Sequence, residues 1–205
     1  MSKSALVIGA GCHARVVGAL LHANGVNIRG YLDANFVSGK QEIIKYAPLL
    51  GHPEDIQAYA ADLHEIYLAI GDNRRRRELF EQLTAEGYQL PALVHPSAII
   101  ESDSVIGQGT QVCLGAILAT EVTIAEGVIV NSGSSVDHEG KVGAFSHIAP
   151  GAILAGRVTV GREVFVGIGA RVAQGLHIGD GAVIGAGAIV LKDVAPGARV
   201  LGVHH

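Results

Sequence analysis

From Val94 to Val190 the chain places an aliphatic residue at every sixth position without exception. The series begins Val94, Ile100, Ile106, Val112 and Leu118 and closes with Ile178, Ile184 and Val190. The residue after each aliphatic is usually Gly or Ala, as at Gly107, Ala119, Gly143, Ala155 and Gly167. The position four after it is mostly small or Val, as at Thr110, Ala116, Ser134, Ala152 and Ala170. An amphipathic helix repeats every 3.6 residues and a half-buried strand every 2, so neither accounts for a strict six. A hexad repeat predicts a parallel β-helix: short strands turn at small-residue corners and stack an aliphatic ladder down one axis.

The first ninety residues follow another pattern. Ala5-Leu6-Val7-Ile8 reads as a strand, and Gly9-Ala10-Gly11-Cys12-His13-Ala14 follows as G-x-G-x-x-A. An apolar helical run through Val16, Val17, Leu20 and Leu21 comes next. Strand, Gly-rich turn and helix in that order suit phosphate binding, because glycines admit a close ligand and the helix start offers unpaired N–H groups. A second strand, Ile28 to Leu32, ends in Asp33, where a Rossmann-type domain bonds a ribose hydroxyl or base edge. A third, Ile66 to Ile70, runs into Gly71 and a helix from about Arg74 to Glu86. Ser38 to Tyr46 reads as a polar loop. The four arginines Arg74 to Arg77 fan around their helix, so a solvated face is expected. Leu90 to Val94 leads into the hexads, with His95-Pro96 at the boundary. This gives a Rossmann-like α/β domain over 1–93 and a β-helix over 94–205, with about three β-α units, fitting a mononucleotide better than a dinucleotide.

Composition narrows the function. The chain has 205 residues, 28 of them Gly, with 49% hydrophobic and 17% charged residues, which suits a solenoid. A net charge of −4 argues against nucleic acid, which calls for a basic stripe. Cys12 and Cys113 form no ligand or disulfide spacing. No basic-plus-apolar leader precedes Ala5, and no apolar run approaches a membrane span, so a cytoplasmic protein is expected.

Ionisable residues are rare in the hexads, and Asp137-His138-Glu139 and Phe145-Ser146-His147 stand out. His138 is flanked by two carboxylates, either of which could orient its ring, as a general base requires. Neighbouring side chains on a strand point to opposite faces, so Glu139 or Asp137 reaches the ring only if the corner bends the backbone. With three hexads per coil, residues eighteen apart stack, and His138 and His147 then face different sides. A second prism packed alongside would bring such faces together, which predicts a symmetric oligomer with sites between subunits. His138, His147 and His177 do not stack, so no metal is expected.

Val136-Asp137-His138-Glu139 and Val142-Gly143-Ala144-Phe145-Ser146-His147, followed by Gly151-Ala152 and Ala155-Gly156, resemble bacterial nucleotide-sugar acetyltransferases of the bacillosamine and perosamine type. Sialic-acid O-acetyltransferases are close relatives. The resemblance covers nearly the whole chain, from the Gly-Ala-Gly turn to Val200-Leu201-Gly202-Val203. It implies a left-handed β-helix, a homotrimer, and acetyl-CoA held between adjacent helices. It also implies His138 as general base, tuned by Glu139, with His147, Gly156, Ile168 and Ala186 contacting the cofactor. Gly9, Gly11, His13, Asp33 and Gly71 would bind the nucleotide sugar. The expected activity is direct transfer of acetyl to the 4-amino group of a UDP-linked, in preference to a GDP-linked, amino-sugar. The alternatives are O-acetylation of a sialic acid or related sugar, a non-catalytic nucleotide-sugar-binding scaffold, and a nicotinamide-dependent oxidoreductase.

Overall fold

The computed structural model describes residues 4–62 and 65–205. It divides into two compact units, Met1–Pro91 and Ala92–His205.

In the first unit, strand β1 (Ser4–Ile8) leads into helix α1 (Cys12–Ala23), then β2 (Asn27–Leu32), β3 (Leu49–Gly51), a 3-10 helix (Pro53–Asp62), β4 (Glu65–Leu68) and helix α2 (Asn73–Ala85). The four strands form a parallel sheet in the order β3-β2-β1-β4. This is the expected Rossmann-like arrangement, with three differences. β4 ends at Leu68 rather than Ile70, and β3 and the 3-10 helix were not foreseen. Leu49–Gly51 is too short to show a period, and its place is set by pairing with β2.

The third difference corrects the arginine run. Arg74 and Arg75 are exposed and pair with Glu78, but Arg76 is fully buried. Position 76 lies three, four and seven residues before Leu79, Phe80 and Leu83, so it shares their inward helix face. Its guanidinium is satisfied there by the carbonyls of Ile70 and Gly71, each at 3.1 Å, and by Asn73 Oδ1 at 2.9 Å.

The second unit is a left-handed parallel β-helix. Two-residue strands alternate with four-residue corners centred on a two-residue turn, and each strand pairs in parallel with the strand eighteen residues on, as in Thr123↔Lys141 and Lys141↔Thr159. Three sheets form the faces of a prism, starting with Leu93–Val94, Ile99–Ile100 and Val105–Ile106. The hexad aliphatics point inward, joined by the residues four further on, so Val112, Ala116, Leu118, Val122, Ile124 and Val128 all belong to one core. Glycine follows the aliphatic where coils touch: a Cβ on Gly143 would lie 2.5 Å from the Gly161 carbonyl.

Most turns place a glycine in the left-handed region, as at Gly115 and Gly133. Glu121, Glu139, Phe145, Arg157 and Glu163 adopt the same conformation with side chains, which costs about 1 kcal/mol or more each. Among the described residues no helix is long and apolar enough to cross a membrane.

Candidate active site

His138 occupies the first position of the turn between Ser135–Val136 and Lys141–Val142. The turn next to it in the stack carries Thr120 on one side and Gly156 on the other, as Glu139 N–H donates to Thr120 O and Arg157 N–H to His138 O. Glu139 has φ of +58°, and this left-handed step turns its side chain back along its neighbour's. His138 Nδ1 and Glu139 Oε2 are 3.0 Å apart. The backbone bend that the sequence reading required is therefore present, and it selects Glu139. Asp137 does something else: its Oδ1 accepts from the His138 backbone N–H at 2.7 Å and fixes the turn.

A carboxylate accepts but does not donate, so the bond to Glu139 assigns the proton to Nδ1 and leaves the Nε2 lone pair as acceptor. The ring lies over Gly156. A Cβ there would meet His138 Nε2 and Cε1 and come within 2.8 Å of Cδ2. Gly156 is buried, and its N–H has no partner in the chain among the described residues. Beside this pair, Glu121, Glu139, Lys141, Arg157 and Thr159 line a shallow depression.

His147 belongs to a different face, the sheet of Ile129–Val130 and Phe165–Val166. Its ring packs edge-on to Phe165 with centroids 5.3 Å apart. Its Nε2 lies 3.0 Å from Asn131 Nδ2, while Asn131 Oδ1 accepts from Ser132 N–H at 2.8 Å. That second bond orients the amide so that its NH2 faces the imidazole. Asn131 was not singled out from sequence. Its signal is only positional, since it begins the turn that follows the strand paired with His147.

Ile168 and Ala186 share a third location, the corner column that also carries Pro150, with Gly187 N–H donating to Ile168 O. Both are exposed, Ile168 at 61%. One prism therefore joins His138, Glu139 and Gly156 at one edge and stacks Ile168 with Ala186 at another. It does not bring the two sets together.

In the first unit the parallel register sets Ile8, Leu32 and Leu68 level, so Gly9, Asp33 and the segment leading to Gly71 emerge at one sheet edge. Asp33 Oδ2 accepts from Ala10 N–H at 2.6 Å, and Oδ1 from Asn35 N–H at 2.8 Å. The carboxylate thus holds the Gly-rich turn in place. Gly9 and Gly11 differ. A Cβ on Gly9 would lie 2.8 Å from Ala69 O, and its φ is +106°, so the fold itself requires glycine. Gly11 is exposed with open space around it, and packing gives no reason for its lack of a side chain. His13 is the second residue of α1. A cleft floored by Ile8, Ile56, Leu79 and Leu83 runs between the 3-10 helix and α2.

Cys113 is fully buried, and burial pushes its thiol up to about 12. The thiolate needed for covalent catalysis is thereby disfavoured. Cys12 is exposed at the start of α1.

Residues 4–83 match the PglD N-terminal domain family. The acetyltransferase domain of PglB from Neisseria gonorrhoeae FA1090 is 35% identical. That comparison covers 97% of this chain and 96% of that one, with a TM-score of 0.90. The chain belongs to the bacillosamine/perosamine-type sugar N-acetyltransferases. PerB from Caulobacter crescentus, solved with CoA and GDP-perosamine, is 32% identical over 96% of this chain and 93% of that one, with a TM-score of 0.90. A UDP-N-acetylbacillosamine N-acetyltransferase from Bacillus subtilis (strain 168) is 29% identical over 111 residues, or 53% of this chain. The chain spans about half the length of that curated relative, 50%. In this chain the His138–Glu139 corner and the Gly-rich turn lie in separate units.

Proposed function

We infer that this member of the family transfers acetyl from acetyl-CoA to the 4-amino group of a nucleotide-linked amino-sugar, UDP-linked in preference to GDP-linked. The observation that carries the reading is the His138–Glu139 bond with the ring held over Gly156. The free amine attacks the thioester carbonyl carbon, and its nitrogen becomes more acidic as the C–N bond forms. His138 Nε2 takes that proton, while Glu139 holds the ring in the required tautomer. The oxygen gains negative charge and is bonded by the Gly156 N–H, a donor fixed in place before reaction. Collapse breaks the C–S bond, and the thiolate leaves as CoA with the proton that His138 collected. The product is the amide. No covalent acyl-enzyme is invoked, consistent with the raised thiol of Cys113.

His147, oriented by Asn131, and the exposed column of Ile168 and Ala186 would contact acetyl-CoA. Because these lie at other positions on the prism than His138, a complete site would need a second subunit. Exposed Ile99, Ile117, Ile153 and Ile189 on one face favour a homotrimer burying them. Gly9, Gly11, His13, Asp33 and Gly71 would receive the nucleotide sugar. PerB was solved with GDP-perosamine, whereas the curated Bacillus subtilis relative carries UDP in its name.

The test is thiol release from acetyl-CoA with a panel of UDP- and GDP-linked 4-amino-sugars, for wild type and His138→Ala. Turnover of one amino-sugar that falls about 10²-fold or more in the variant is expected, the size of a general-base contribution. Undiminished turnover in His138→Ala would remove it as the base. Thiol release only with hydroxyl acceptors would replace N- by O-acetylation.

A further inference from the structure

Arg76 is the only charged residue that is buried among the described residues, and the face it shares with Leu79, Phe80 and Leu83 would hold an apolar side chain at no electrostatic cost. Taking a guanidinium out of water costs several kcal/mol before its bonds are counted. Three of its bonds go to one place. Nη1 donates to the carbonyls of Ile70 and Gly71, and Nη2 to Asn73 Oδ1, so the cation closes over the segment that leaves β4 and enters α2.

This arrangement dictates which way that segment faces. In a trans peptide the C=O of one residue and the N–H of the next point in opposite directions. Carbonyls of Ile70 and Gly71 drawn inward to Arg76 therefore turn the N–H groups of Gly71 and Asp72 outward. Neither N–H has a partner in the chain among the described residues. Gly71 is exposed, with nothing within 4 Å of where a Cβ would be. The same segment touches the Gly-rich turn, because Ala69 O and Ile70 Cδ1 each lie 2.8 Å from where a Gly9 Cβ would be. The Asp72 carboxylate is occupied in capping α2, accepting from Arg75 N–H at 2.8 Å.

We propose that Arg76 is a positioning residue for the nucleotide sugar: by gripping the Ile70 and Gly71 carbonyls it sets the outward amides of Gly71 and Asp72 against the substrate's diphosphate, across from Gly9–Gly11. This rests on the nucleotide-sugar reading above. The buried cation also adds attractive potential for that anion from behind the loop, where salt screens it little. Lysine keeps the charge, but as a single ammonium it does not reproduce the planar fork that spans three acceptors.

The experiment is calorimetric titration of the full-length protein with UDP, with GDP and separately with acetyl-CoA, for wild type, Arg76→Lys and Asn73→Ala. Thermal melts report folding. Arg76→Lys is expected to weaken nucleoside-diphosphate binding about 10-fold or more and Asn73→Ala about 3-fold. Acetyl-CoA affinity should stay within about 2-fold for both. In turnover, KM for the amino-sugar nucleotide rises while kcat holds. Should Arg76→Lys not fold, Asn73→Ala decides alone, since it removes one acceptor and leaves the buried cation its two carbonyls. Wild-type diphosphate affinity in a folded variant overturns the assignment. Wild type binding neither UDP nor GDP overturns the nucleotide-sugar reading itself, and this inference with it.

Discussion

The imidazole of His138 rests against the bare α-carbon of Gly156, eighteen residues further along the chain and one coil away in space. Nothing but hydrogen fits at that α-carbon while the ring stays in place. The Gly156 backbone is not in the left-handed region, so alanine is conformationally acceptable there. Gly156→Ala should therefore cost about 1 kcal/mol or less in stability, because the half-exposed ring can swing into solvent. Turnover should fall about 10²-fold as Nε2 leaves its position. Steady-state rates beside a thermal melt test this, and full activity in the variant would show that the packing has no catalytic purpose.

Glu139 offers an experiment in which stability and activity move apart. Its φ of +58° is a conformation glycine adopts freely. Glu139→Gly is expected to stabilise the fold by about 1 kcal/mol and to lower kcat at least 10-fold, as the ring loses its partner. Glu139→Gln keeps a hydrogen-bond acceptor and should retain more activity than Glu139→Gly. Equal kcat in the two variants would mean that the carboxylate position does not orient the imidazole.

The two glycines of the N-terminal turn should respond differently. Gly9→Ala forces a Cβ onto the Ala69 carbonyl at a positive φ and is expected to destabilise the first unit by about 2 kcal/mol or more. Gly11→Ala has room, so the protein should fold normally while UDP or GDP binds at least 5-fold more weakly. Unchanged affinity in Gly11→Ala would leave that glycine without a role in binding.

The cysteines give a chemical check on the solenoid. In native protein a thiol reagent such as DTNB should titrate Cys12 alone, and Cys113 only after denaturation. The sign of the pH effect follows from the raised thiol. Stability from the neutral Cys113 is complete below the ordinary thiol value of 9.0 and declines as pH rises toward about 12, since the unfolded chain ionises first. Cys113→Ser should flatten that alkaline decline in chemical denaturation curves. Two reactive thiols in the native state would contradict the burial.

The β-helix was legible because every hexad aliphatic, and the residue four beyond it, points into one core, so a single period carries the whole signal. A further position of the same six-residue period was also there to read. From Ile106 to Ile184 the residue three after each aliphatic occupies the left-handed turn position and is most often glycine, as at Gly115, Gly133 and Gly151. Glu139 and Phe145 break that rule inside the two motifs that stood out on other grounds. The choice between Asp137 and Glu139 was not legible, because it depends on the sign of one φ. Arg76 was misread, because the arginine run does not reveal which residue the helix turns toward the sheet. The short β3 carries no period of its own and is defined only by its neighbour β2.

The eighteen-residue coil also makes the solenoid modular. Adding or deleting one residue between His138 and Gly156 would shift every later side chain to the wrong edge of the prism. A whole extra coil inserted after Val190 would leave that pair and the Ile168–Ala186 column untouched and lengthen the molecule by one layer. Chain length beyond Val190 is thus free to drift in units of eighteen, while the spacing from His138 to Ala186 is not.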